Sequence, residues 1–218
     1  MFSIIQAAGW PIWFLLLASV IAVALIIERA MALRRAKVLP ARLLDDVVGA
    51  VRNRKVPPDM MQRLDQGSPL GRILATGLRQ DGSTREAMKT AIEETGRAVA
   101  HDLERYLSAL GTIAATAPLM GLFGTVVGMI EIFGAQGPSG VASPQQLAHG
   151  ISVALYNTAF GLVVAIPALV AYRIFRARVD GFLVDMEQQA VRLVDTLRAG
   201  AAPAAAVAPA AAPQGGRP

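Results

Sequence analysis

Residues 107–133 read LSALGTIAATAPLMGLFGTVVGMIEIF, and residues 150–172 read GISVALYNTAFGLVVAIPALVAY. The first run carries one charge, Glu131, and the second carries none. As a helix the first is about 40 Å long, enough to cross a hydrocarbon core of about 30 Å with tilt and still protrude. The second run gives another span. Between them, residues 134–149 hold turn formers but no acid and no Lys or Arg, so the pair is expected to form a membrane hairpin closed by a short periplasmic loop.

Working outward, residues 7–27 (AAGWPIWFLLLASVIAVALII) are uncharged and long enough for a span, so residues 1–27 are read as an outer N-terminus and a first transmembrane helix. No basic residue precedes this run, whereas Arg29, Arg34, Arg35 and Lys37 follow it, the reverse of a cleaved leader; it is expected to be a retained anchor. Trp10 and Trp13 fit an interfacial aromatic belt. Residues 28–106 change character, with 15 of the 21 Lys and Arg and 11 of the 16 Asp and Glu, and breaks at Pro57-Pro58 and Gly67-Ser68-Pro69. They are expected to be a water-soluble helical insertion on the cytoplasmic side. From Thr84, the positions Met88, Ile92, Val99, Leu103 and Tyr106 fall along one helical stripe, which predicts a helix running without interruption into the second span.

After residue 172, Phe175, Val179, Phe182, Met186, Leu193 and Leu197 predict a cytoplasmic amphipathic helix over residues 173–200. Residues 201–218 are nearly all Ala, Pro and Gly, a composition too poor in large apolar groups to pack, and are read as a disordered tail. All 21 basic residues lie in 28–106 or after 172, which orients the chain with its N-terminus outside and its C-terminus inside. The expected fold is therefore an all-α membrane protein with three transmembrane helices, N-out and C-in, the second and third extending into the cytoplasm. The apolar fraction of 54% and charged fraction of 17% agree with a membrane class.

Composition also removes function classes. There is no cysteine, so disulfides, thiolate metal sites and thiol nucleophiles are excluded. The sequence contains no GxxxxGK[ST] and no HExxH, and its two histidines, His101 and His149, are too few for a histidine-rich metal site. No catalytic residue, cofactor or metal is expected, and the chain is not expected to be an enzyme. The net charge of +5 is explained by topology, and its basic residues are interspersed with acids, so nucleic-acid binding is not expected either.

What remains is the polar content of the hairpin. Gly121, Gly124 and Gly128, with Ala114, Ala115 and Ala117, form stripes that let helices approach closely in lipid. Pro118 and Pro167 lie inside the spans and should bend them, which frees backbone carbonyls. Thr112, Thr116 and Thr125 in the second span, with Ser152, Tyr156, Asn157 and Thr158 in the third, give two otherwise apolar helices a row of donors and acceptors. Each Ser or Thr hydroxyl either bonds to a carbonyl of its own helix or contributes to a polar pathway. Asn157 cannot be fully satisfied within its own helix and should face another helix, a partner or water. Glu131, near the outer end of the second span, is placed at a pore mouth or interface rather than in the hydrocarbon.

The pattern AIEETGRAVAHDLERYLSALGTIAATAPLMGLFGTVVGMIEIF followed by GISVALYNTAFGLVVAIPALVAY resembles the ExbB and TolQ biopolymer-transport proteins, distant relatives of the MotA stator subunit. The likeness is close over residues 84–176 and is joined by Glu28-Arg29 after the first span. It implies a homopentamer in the inner membrane, embedded in lipid, whose second and third helices surround transmembrane helices of an ExbD-like or TolR-like single-span partner. That partner would bear the proton-accepting aspartate. Proton flow would drive a TonB-like transducer serving outer-membrane uptake or, on the alternative branch, a TolA-like one serving envelope integrity. Thr125 and Thr158 match the family's pore-facing threonines, with Thr116, Ser152, Tyr156 and Asn157 as further candidates for the ion pathway. One position departs: Val153 stands where the family commonly has a glutamate, which leaves a non-conducting membrane scaffold as a rival reading. Three spans rather than four disfavour a MotA-like stator, and the lack of an inverted repeat disfavours a secondary transporter.

Overall fold

The computed structural model describes residues 9–53, 56–134 and 144–201. Among them are eight helices and no strand: α1 (Ile12–Ala32), α2 (Arg35–Val38), α3 (Leu43–Arg52), α4 (Pro58–Gly67), α5 (Pro69–Arg79), α6 (Arg85–Glu104), α7 (Leu107–Gly134) and α8 (Pro144–Ala201). Three helices, α1, α7 and the Ala148–Ala199 stretch of α8, are long and apolar enough to cross a membrane. The fold is thus all-α and of the membrane class. Most of the loop expected over 134–149 and the tail expected over 201–218 lie outside the described residues, as do residues 7 and 8 of the first span.

The chain divides into two compact units, one drawn from Met1–Arg35 and Ala100–Phe182, the other from Ala36–Val99 and Leu183–Pro218. In the first, α1, α7 and α8 meet at Leu15, Ala117, Val164 and Ala165, flanked by Ile113, Met120 and Phe160. The first helix begins at Ile12 rather than at residue 7, because Gly9 takes φ 73° and the Trp10-Pro11 pair forms a turn. A residue before proline is biased away from helix, so this boundary has a local cause. The Trp10 ring then packs edge-on against Phe14 and Phe123, with centroids 5.9 Å apart in each case.

The second unit is punctuated by its prolines and caps. Pro58 and Pro69 open α4 and α5 at positions where a missing amide hydrogen is harmless. Ser68 caps α5, its Oγ accepting from the Gly71 amide at 3.1 Å, and Thr84 caps α6 by accepting from the Ala87 amide at 3.2 Å. Gly71 lies so close to the Leu64 carbonyl that a Cβ there would overlap it. A Cβ on Gly77 would come within 3.0 Å of Leu193 and 3.4 Å of Ile92, so this small residue sets the spacing of α5, α6 and the end of α8.

Two expectations about continuity resolve in opposite directions. The third span and the amphipathic helix after it form one unbroken helix, α8, whose stripe from Phe175 to Leu197 is buried as the periodicity requires. The helix that should have run from Thr84 into the second span is broken instead. It stops at Glu104 and restarts at Leu107, with Tyr106 at φ 65°. Tyr106 was expected on the apolar stripe and is 41% exposed. A left-handed backbone at a non-glycine residue costs about 1–2 kcal/mol, so contacts from elsewhere must hold it. They come from Arg29, which is only 6% exposed, donates from Nη1 to the Leu103 carbonyl at 3.2 Å, and places its guanidinium 5.3 Å from the Tyr106 ring centroid.

The cap at Ser68 gives a direct check on the second unit. Ser68→Ala removes the oxygen that satisfies the buried Gly71 amide and should cost about 1 kcal/mol, read as a lower midpoint in chemical denaturation of the detergent-solubilised chain with an unchanged slope.

Candidate ion-pathway hairpin

Helices α7 and α8 run antiparallel and touch along a line of small residues. On α7 the small buried positions are Ala114, Ala117, Gly121, Gly124 and Gly128, at alternating steps of three and four. They face Gly150, Val153, Asn157, Gly161, Val164 and Ala168 of α8, which recur at similar steps. The mean period near 3.5 keeps the stripe facing its partner along the whole contact. The backbones are near their limit of approach. A Cβ on Gly161 would be 2.7 Å from the Ala117 carbonyl oxygen, and one on Gly121 would be 2.8 Å from the Asn157 carbonyl oxygen. At the end nearer residues 134–149 a Cβ on Gly150 would overlap Ile132, and at the other end one on Gly111 would lie 3.2 Å from the Tyr172 ring.

Asn157 sits in this line. Its side chain is completely buried, its Nδ2 donates to the Val153 carbonyl at 3.1 Å, and a Cβ on Gly124 would lie 2.6 Å from both its Cβ and its Cγ. The carboxamide thus faces another helix, one of the three environments the sequence allows, and it does so because Gly124 leaves room. Val153 is in the line too, 6% exposed and 3.4 Å from a Cβ built on Gly128.

The hydroxyls flank the line instead of lying in it. At about 100° per residue, Thr125 and Thr158 fall on one side of the contact and within about one turn of the same level. Thr112, Thr116, Ser152, Tyr156 and Glu131 fall on the other side. The structure therefore brings Thr125 and Thr158 to one face of the hairpin and separates them from Thr116, Ser152 and Tyr156. Several hydroxyls bond within their own helix: Thr112 to Ser108 O, Thr116 to Thr112 O, Thr125 to Leu122 O and Ser152 to Ala148 O, at 2.6–2.9 Å. Each keeps acceptor capacity beyond that bond. Thr158 is half-buried, Tyr156 is exposed, and Glu131 is exposed near the end of α7.

Thr125 also lines an open groove of about 480 Å³ with Val126, Met129, Ile130, Phe133 and Gly134, whose walls are almost wholly apolar. Pro118 and Pro167 lie within α7 and α8, and neither interrupts its helix. Among the described residues no group of three or more His, Asp or Glu side chains is placed to hold a metal ion. The pairing of Arg29 with Tyr106 carries no signal in the sequence: Arg29 enters the charge bias and the Glu28-Arg29 likeness, and Tyr106 enters the apolar stripe, with nothing to link the two.

The contact line predicts a contrast between two glycines. Gly124→Ala forces Asn157 aside and should cost about 1–3 kcal/mol, whereas Gly181→Ala, at an exposed helical site with nothing within 4 Å of a new Cβ, should gain about 0.5–1 kcal/mol. Thermal unfolding in detergent, followed by Trp10 and Trp13 fluorescence, compares them.

The MotA/TolQ/ExbB proton channel family model matches residues 65–188, which contain all of α7 and the part of α8 that meets it. The chain is 35% identical over 163 residues to an ExbB-like biopolymer transport protein of Synechocystis, covering 73% of this chain and 77% of that one. It is 38% identical over 88 residues to the biopolymer transport protein exbB1 of Vibrio cholerae, covering 40% and 39%. It is 31% identical over 179 residues to the Tol-Pal system protein TolQ of Haemophilus influenzae, covering 77% and 78%. ExbB and TolQ proteins are channel or stator subunits that work with ExbD-type or TolR-type partners, and they are not enzymes. With its three apolar helices and this match across its hairpin, the chain is a non-enzymatic membrane protein belonging to the MotA/TolQ/ExbB proton channel family.

Proposed function

We propose that the chain is the ExbB-like channel and stator subunit of an inner-membrane complex driven by the proton-motive force, which energises TonB-dependent transport across the outer membrane. The observation that carries this reading is the family match over residues 65–188, which spans the hairpin on which Thr125 and Thr158 share a face. Five copies would set that face around the transmembrane helices of an ExbD-like partner. The two hydroxyls would hold water beside the partner's proton-accepting aspartate. The segregation of basic residues supports an N-out, C-in orientation, with the second unit in the cytoplasm.

A TolQ-like role in the Tol-Pal system is the alternative, favoured by the match to the Haemophilus TolQ protein over 77% of the chain. A deletion strain separates the two: poor growth under iron limitation points to the ExbB role, and sensitivity to detergents points to the TolQ role. A non-conducting scaffold is a third reading, supported by the uncharged line of α8 with Val153 packed in it.

Co-purification with the candidate single-span partner, followed by native mass determination, tests the assembly, and a five-subunit ring retaining partner helices is expected. Thr158→Val should then assemble normally and lose energised uptake and partner-dependent proton flux. Full uptake by this variant at wild-type abundance would remove Thr158 from the pathway. A chain that purifies without a partner and conducts nothing would favour the scaffold.

A further inference from the structure

The break between α6 and α7 has no local cause. Residues 103–110 read LERYLSAL, without glycine or proline, and leucine, glutamate, arginine and alanine all favour helix. Left to itself the segment should continue from Glu104 to Leu107 as one helix, yet Tyr106 is held at φ 65°. The cause is tertiary. In an unbroken helix the Leu103 carbonyl would accept from the Leu107 amide four residues on. Here it accepts from Arg29 Nη1 at 3.2 Å, so the arginine of α1 competes for the acceptor that helix continuation would use. The Tyr106 ring, turned out by the left-handed backbone, lies between two guanidinium groups, with the Arg29 and Arg105 carbons 5.3 and 4.9 Å from its centroid. Glu28 pairs with Arg29, its Oε1 accepting from Nη2 at 2.6 Å, which fixes the fork. Arg176 of α8 meets Glu104 at 3.0 Å, a half-exposed pair that adds little to the hold.

We propose that residues 104–107 form a two-state joint, bent when Arg29 engages Leu103 and Tyr106, and straight when it lets go, with α6 and α7 then fused into one helix. The two states balance opposite terms. The bent state has the Arg29 hydrogen bond and the stacked ring, and carries the left-handed strain. The straight state loses both contacts, recovers the regular backbone hydrogen bonds of residues 107–109 and relieves Tyr106. Arg29 is therefore a positioning residue: it acts on the second span through the joint and touches no ion path. The joint is a property of this chain and does not depend on which complex the chain serves. It gives a spanning helix a way to change its continuity with the helix before it without unfolding either.

The sign of one measurement decides the matter. Hydrogen exchange of the 103–110 amides is followed in the full detergent-solubilised chain. In the wild type the first amides of α7 should exchange fast, as at a helix start. Arg29→Ala should slow them by roughly tenfold, the factor that corresponds to losing the strain of a left-handed tyrosine. A merely structural role for Arg29 predicts faster exchange, because removing a brace loosens what it held. Adding Tyr106→Gly to Arg29→Ala should restore fast exchange, since glycine adopts the left-handed backbone without strain. If Arg29→Ala does not assemble, Tyr106→Ala keeps the buried arginine, removes the stacked ring and should also slow exchange. Faster or unchanged exchange in the single variants, or no reversal in the double variant, overturns the joint. Because the chain has no cysteine, spin labels at His101→Cys and Leu119→Cys give a second reading. Their separation should lengthen in Arg29→Ala toward about 27 Å, the span of eighteen residues of straight helix, and an unchanged separation also overturns the proposal.

Discussion

The close approach of α7 and α8 is the constraint on which the rest of the hairpin depends. In lipid there is no hydrophobic gain from pressing two apolar helices together, because the acyl chains they displace are equally apolar. Association then rests on dispersion contacts and on what backbones and polar groups can do at short range. The glycines at 121, 124, 128, 150 and 161 provide that range. At 121, 124, 150 and 161 a methyl group would collide with the opposite helix, and at 128 it would sit in ordinary contact with Val153, so the line leaves little room for a second register.

Asn157 is the second half of the same constraint. A buried carboxamide is costly without company, and its Nδ2 bond to the Val153 carbonyl keeps the amide turned along its own helix. The space for it exists because Gly124 is opposite. A slip of one residue would bring Leu122, Phe123 or Thr125 toward the amide. The polar residue therefore fixes the level at which the helices meet, and the glycine fixes how close they come. Once that line is set, the helical repeat alone decides which hydroxyls share a face.

Much of this was legible in the sequence. The three spans followed from uncharged length, and the continuity of α8 was foreshadowed by the stripe from Phe175 to Leu197. The small residues of the line were visible as small residues. Three things were not. The polar row looked like one set, and its division into Thr125 with Thr158 on one side and Thr116, Ser152 and Tyr156 on the other needed the contact line first. The start of α1 was misplaced because hydropathy is indifferent to the turn that Gly9 and Pro11 impose. The break at Tyr106 was invisible because helix propensity and periodicity are local, whereas the arginine that takes the Leu103 carbonyl lies 74 residues earlier in the chain.

Val153 shows how packing bears on the proposed proton path. It stands where the resemblance to ExbB and TolQ leads one to expect a glutamate, and it is buried in the contact line against Gly128. A carboxylate there would be enclosed by two helices with no cation beside it in the span, where burying a charge is costly. With valine the line is sealed by an apolar group, and no ionisable side chain remains among residues 132–171 except His149 and Tyr156. A path through this subunit's own hairpin interior is then physically unfavourable. On the proposed function, a proton route that uses this chain runs along the face where Thr125 and Thr158 sit, with the titrating group supplied by the partner across that face. This is why the proposed function assigns the proton-accepting step to the partner helix and leaves this subunit to hold water and shape beside it.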